Sequence, residues 1–195
     1  MQCPIVGYGH PILQQATRPL RPEEPGLAPL LAAMWDTLAG SGGCGLAAPQ
    51  IGQALRVFIV DSTATYTQLS PELQQQYFTP TDIIRQVFIN AEVLALAGPA
   101  WTAKEACLSI PGLQAPVNRP WQVTLRYQDA DWQLHTRTFT GIAARMILHE
   151  YDHVEGILYL DHLPERRLAL LQPMLAAIRR GEVDAAYPMR FANVN

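Results

Sequence analysis

An α+β fold is predicted for this 195-residue chain by three features. A helical run of apolar residues lies near the N-terminus, short β-branched and aromatic runs fill the middle, and a second helical run carries two histidines. Leu27, Leu30, Leu31, Met34 and Leu38 recur at helical spacing, and Gly40-Ser41-Gly42-Gly43 stops that run. Residues 56–60 read as a strand, and so does Val87-Phe88-Ile89. Between them, residues 62–86 are rich in Thr, Gln and Ser and contain Pro71 and Pro80. That is long for a connection inside a compact domain. It reads either as an elaborated functional loop or as a segment with a helical turn near residues 72–77. Residues 123–127 and 133–139 look like two strands around a turn at Asp129-Ala130-Asp131. From Ile142 through His153 the pattern is helical, with Gly156 as its stop. A last helix is expected from Pro164, a residue suited to the first helical position, with Pro173 breaking or kinking it. No internal repeat is present, so one domain over residues 1–180 with a tail over 181–195 is expected.

Bulk composition narrows the function classes. Hydrophobic residues make up 49% and charged residues 16%, the balance of an ordinary globular chain. The net charge of -3 gives no global basic field, which argues against nucleic acid as the main ligand. No apolar stretch reaches the roughly 20 residues that span a bilayer, and the N-terminus shows no secretory signal. Cys3, Cys44 and Cys107 are odd in number and widely separated, so they do not form a disulfide framework. A soluble, reducing compartment is expected.

The chemistry concentrates in His149-Glu150-Tyr151-Asp152-His153, an H-E-x-x-H. On a helix this spacing stacks both imidazoles on one face, close enough to grip a divalent metal. Glu150 lies about 100° around the helix from His149, free to take a proton from water at that metal. A catalytic site needs a third ligand. Cys107 is the best candidate, in a segment, 105–112, that Pro111 and Gly112 keep from being a regular helix. It reads as a strand end or turn that aims a side chain inward, although a buried free cysteine is as often a small hydrophobe. Cys44 and Cys3 compete with less local context. In Gly43-Cys44-Gly45-Leu46-Ala47-Ala48-Pro49-Gln50, small residues allow close backbone approach. Gln50 offers an amide donor to a developing oxyanion, a weak signal on turn chemistry alone.

In this order, the three segments resemble the peptide deformylases, whose pattern is G-x-G-L-A-A-x-Q, then E-G-C-x-S, then Q-H-E-x-D-H-L-x-G. The resemblance covers most of residues 1–180. It implies antiparallel β-sheets packed around a central helix that carries H-E-x-x-H, followed by a C-terminal helix. It implies removal of the formyl group from N-formylmethionyl nascent peptides in a bacterial cytoplasm. It further implies that Cys107, His149 and His153 bind the metal and that Glu150 is the general acid/base. Gln50 and the Leu108 N–H would stabilise the oxyanion, and the Gly45 backbone would hold substrate. The metal implied is Fe(II), with Zn, Ni or Co also able to bind. Ala106, Leu148 and Val154 depart from the pattern, and Leu148 removes a polar group next to a ligand.

Ile142, Met146, His149 and His153 share one helical stripe, so Ile142 and Met146, with Cys44, are expected to line a methionine side-chain pocket. A plain core role for the first two is equally open. The 62–86 segment is either a lid over the groove or a passive surface excursion. Arg166, Arg167, Arg179 and Arg180 put positive charge on the last helix, a solvated face or a ribosome contact. The competing readings are a zinc peptidase using the same H-E-x-x-H, and a non-catalytic metal protein.

Overall fold

The computed structural model describes residues 1–192, so residues 193–195 of the predicted tail lie outside the described residues. Twelve elements follow in order: β1 (Ile5–Val6), α1 (Leu27–Ser41), β2 (Gly45–Ala47), β3 (Val57–Asp61), α2 (Thr63–Gln68), α3 (Pro71–Tyr77), β4 (Arg85–Cys107), β5 (Ile110–Gln128), β6 (Leu134–Thr140), α4 (Gly141–Val154), α5 (Glu165–Arg179) and β7 (Met189–Arg190). Strands β2-β3-β4-β5-β6 form one antiparallel sheet. A second, two-stranded sheet pairs β1 with β7 in parallel.

The continuous apolar run of β3 follows from burial on both faces. Phe58 and Val60 join Phe88, Leu125 and Phe139 in a cluster closed by Met146, Ile147 and Leu148 of α4. Val57 and Ile59 point the other way, into a cluster with Leu31, Met34 and Leu38 of α1. The H-E-x-x-H helix therefore has its apolar flank against the sheet, and twelve of its residues are buried. A third cluster joins Ile110, Leu113 and Val117 of β5 to Leu175 and Ile178 of α5.

Several sequence expectations change. The 62–86 segment is largely helical: the turn near residue 72 is the helix α3, and a further helix, α2, precedes it. Val87-Phe88-Ile89 is only the start of a 23-residue strand. Pro99, Pro111, Pro116 and Pro120 hid β4 and β5 from a pattern reading, since proline cannot donate to a ladder. They are tolerated because β3 ends its pairing at Ile89 and β6 begins at Gln122. Over the intervening length β4 and β5 pair only with each other, and each proline nitrogen can face the unpaired edge. Pro164 caps α5 rather than opening it, and α5 continues through Pro173 unbroken. The exposed position of Pro173 lets its ring sit outside the packed face.

Candidate active site

The site forms where the end of β4 meets the middle of α4. Strand alternation puts Glu105 and Cys107 on the same, buried face of β4, while Ala106 between them is exposed. The i, i+4 spacing puts His149 and His153 on the α4 face opposite them. The donor atoms of Cys107, His149 and His153 all lie within 4.8 Å of one another. Cys107 Sγ is 3.2 Å from His153 Nε2. One soft sulfur and two imidazole nitrogens, converging without a fourth protein donor among the described residues, fit a transition metal with a position left open. Neither Cys3 nor Cys44 joins this group among the described residues. Burial, and then the charge of Glu150, push the Cys44 thiol up to about 12, which keeps it protonated.

A buried carboxylate orients the first histidine. Glu105 Oε2 accepts from His149 Nδ1 at 3.0 Å, which turns the Nε2 lone pair toward the other donors. Arg119 donates twice to Glu105, at 2.6 and 2.9 Å, and Arg145 donates to it at 2.6 Å. Arg119 also meets Asp152 at 2.8 Å, and Asp152 is held by His162 at 2.8 Å. Burial disfavours the Glu105 anion, but the Arg119 and His149 hydrogen bonds outweigh it and hold the carboxyl well below its usual range. Glu150 has the opposite environment. Burial pushes it up to about 7, and its Oε2 is buried without a hydrogen-bond partner.

Gln50 enters from a short 3-10 helix, residues Ala48–Ile51. Its Oε1 accepts from the Ala47 N–H at 2.8 Å, so its amide nitrogen faces the site. That nitrogen lies 3.5 Å from Cys107 Sγ and 3.3 Å from Ser109 Oγ. Leu108 sits at the tip of the β4–β5 hairpin, and its carbonyl accepts from Tyr187 Oη at 2.9 Å. Gly45 packs so closely that a Cβ there would stand 2.5 Å from Glu150 Oε1. Any side chain would push the carboxylate out of place.

A cavity of about 690 Å³ opens over this centre and is lined by Cys44, Gly45, Gln50, Ile142, Met146 and His149, among others. The structure therefore brings every predicted site residue except His153 to the cavity wall; His153 is buried behind it, in reach of Cys107. The departures have modest consequences. Ala106 lines the cavity with its exposed face, Leu148 and Val154 pack into the apolar cluster, and the polar partner of His149 comes from Glu105.

Glu105, Arg119, Arg145, Asp152, Ser109 and Tyr187 were not singled out from the sequence. Three of them, Glu105, Arg145 and Asp152, had a usable signal. Glu105 stands two residues before Cys107, hence on the same strand face, and Arg145, His149 and Asp152 follow each other at helical spacings of four and three. Arg119 and Tyr187 reach the centre only through tertiary folding.

The profile described as Polypeptide deformylase matches residues 2–168. A peptide deformylase of Christiangramia forsetii is 39% identical over 99% of this chain and 97% of its own length. One of Cytophaga hutchinsonii is 38% identical over 98% of each. Among solved structures, Arabidopsis thaliana peptide deformylase 1B in complex with an inhibitor superposes with a TM-score of 0.77 at 26% identity, covering 92% of this chain and 91% of the other. The Plasmodium falciparum peptide deformylase gives 0.76 at 28%, covering 91% and 95%.

Proposed function

The chain belongs to the polypeptide deformylase family, and on that premise we propose a residue-by-residue assignment of its reaction. The enzyme is a metal-dependent hydrolase that removes the N-formyl group of nascent peptides and releases formate. The observation that carries the assignment is the convergence of Cys107, His149 and His153 beside the unpartnered Glu150 oxygen.

Cys107, His149 and His153 would hold the ion, and Glu105 keeps His149 in the tautomer whose Nε2 lone pair is free for it. An ion held there would supply Lewis acidity and would lower the pKa of a water beside it. Glu150 takes the proton of that water as its oxygen attacks the formyl carbon, and returns a proton to the leaving nitrogen. The Gln50 amide and the Leu108 N–H donate to the oxygen on which negative charge develops, and being fixed in advance they need no reorganisation. The Gly45 backbone helps hold the substrate, and its missing Cβ leaves room for the Glu150 side chain. Ile142, Met146 and Cys44 line the pocket for the methionine side chain.

Fe(II) is the ion we assign in the cell, as the resemblance to the peptide deformylases implies; a thiolate with two imidazoles would suit Zn, Ni or Co as readily. The test is formate release from a short formyl-Met peptide by protein purified anaerobically with Fe(II). Cys107→Ala should lose both bound metal and turnover, and the thiolate should make the parent sensitive to oxygen. Metal stoichiometry and turnover unchanged in Cys107→Ala would remove Cys107 from the ligand set.

We take residues 1–180 as one catalytic domain. Of the residues beyond it, β7 pairs with β1 and Tyr187 donates to the Leu108 carbonyl. The bacterial relatives support a cytoplasmic setting; among the described residues no helix is long and apolar enough to cross a membrane. Arg166, Arg167, Arg179 and Arg180 are all exposed on or just after α5, and we assign them a contact with the ribosome. Arg166→Glu with Arg167→Glu should then reduce salt-dependent co-sedimentation with ribosomes and leave turnover of free peptides intact. Equal co-sedimentation of the double variant and the parent would leave these arginines as a solvated face.

A further inference from the structure

The last part of β4 runs along the cavity wall: Cys107, Ala106, Glu105, Lys104, Ala103 and, farthest along the strand from the metal ligands, Trp101 line it. At that far end the Trp101 ring is held by three neighbours. The Arg145 guanidinium lies 4.2 Å from its ring centre, and the same side chain donates to the Trp101 carbonyl at 2.7 Å. Tyr77 stacks on it at 5.4 Å with the planes 25° apart, and Trp121 packs at 5.4 Å. Arg145 also binds Glu105, the partner of His149, so the ring is placed relative to the reacting centre by a short run of polar contacts.

Tyr77 belongs to the 62–86 segment, where it is the last residue of α3. Its carbonyl presses against the start of the catalytic helix: a Cβ on Gly141, whose φ is +57°, would be 2.2 Å from it. Asp82, itself buried, accepts from Thr79 Oγ1 at 2.7 Å and from Thr140 Oγ1, the residue before α4, at 2.6 Å. Ser62 Oγ accepts from the Ile84 N–H at 2.8 Å and donates to the Asp82 carbonyl at 3.0 Å. Thr65 of α2 lines the same cavity. The segment is thus tied down at its entry, its exit and the end of α3, which is the construction of a wall and not of a hinged lid.

We propose that Trp101 is the end wall of the methionine side-chain pocket, and that the 62–86 segment braces this wall through Tyr77. The chain thereby gauges the length of the first side chain. This rests on the reading that Ile142, Met146 and Cys44 line that pocket. Between Arg145, Tyr77 and Trp121 the ring has little room to yield. A side chain longer than methionine meets overpacking, and a shorter one leaves unfilled space.

The test is kcat/KM for formylated dipeptides whose first residue is either methionine or the longer straight-chain 2-aminooctanoic acid. Trp101→Ala should shift the ratio of the two toward the longer side chain by about tenfold or more, mainly through KM. Trp101→Phe, which keeps an aromatic wall, should restore most of the preference. Tyr77→Ala, outside the cavity lining, should shift the ratio in the same direction by less. An unmoved ratio in folded Trp101→Ala overturns the proposal; should that variant fail to fold, an unmoved ratio in Tyr77→Ala does so. Met146→Ala in the same series separates the two readings. A ratio it leaves unmoved removes the pocket itself, whereas one that it moves and Trp101→Ala does not removes only the wall.

Discussion

Glu150→Gln is expected to lower kcat for formate release by about 10²–10⁴-fold, with metal content and melting temperature close to those of the parent. The two side chains have nearly the same shape, and Glu150 is not one of the three converging donors. Its Oε2 has no hydrogen-bond partner to lose, so the substitution breaks no bond at that oxygen. What the substitution removes is the ability to accept a proton. An amide cannot take it from the attacking water, and the two remaining contributions, the ion and the Gln50 and Leu108 donors, persist. Metal analysis beside steady-state kinetics decides the matter. A variant that turns over within tenfold of the parent would falsify Glu150 as the base, and one that loses its metal would make Glu150 a structural residue of the centre.

Glu105→Ala should cause the largest loss of stability, about 3–5 kcal/mol, and weaken metal binding by about 10–100-fold. Glu105 sits among three buried partners, Arg119, Arg145 and His149, and Arg119 and Arg145 are themselves 4% and 7% exposed. Removing the carboxylate strands two guanidinium groups away from water, with Asp152 as the remaining acid partner of Arg119. It also frees the His149 ring to rotate and to change tautomer. Glu105→Gln keeps an acceptor for some of these donors and should lose less of both. Denaturant midpoints measure the first effect and chelator competition the second. Parent-like values for both in Glu105→Ala would mean that water and Asp152 take over the arginines, and that Cys107 and His153 orient the metal without help.

The relation between these two carboxylates shows what a linear reading can and cannot deliver. Both stand inside short motifs, yet only Glu150 was assigned a role, because its position in H-E-x-x-H defines its distance from two histidines on the same helix. The partners of Glu105 come from β5 and α4, up to 44 residues away, and no local pattern announces them. The same contrast holds for the fold. Helices α1 and α4 were legible because each places one apolar stripe on a core, a period that survives in one dimension. The lengths of β4 and β5 were not, because their prolines and small residues read as breaks, and what makes them strands is that they pair with each other beyond the reach of β3 and β6.

By itself, then, the order of residues determined the fold class, the three segments that make the site, the two imidazoles and the carboxylate between them. Those are local facts, set by helical and strand periods and by side-chain chemistry. Only the tertiary structure decided that Glu105, held by Arg119 and Arg145, is the partner of His149, that Tyr187 reaches Leu108, and that Tyr77 of the 62–86 segment stacks on Trp101. Each depends on atoms distant in the chain meeting within hydrogen-bonding or van der Waals range, and such meetings are set by how the β4–β5 ribbon and α4 pack together.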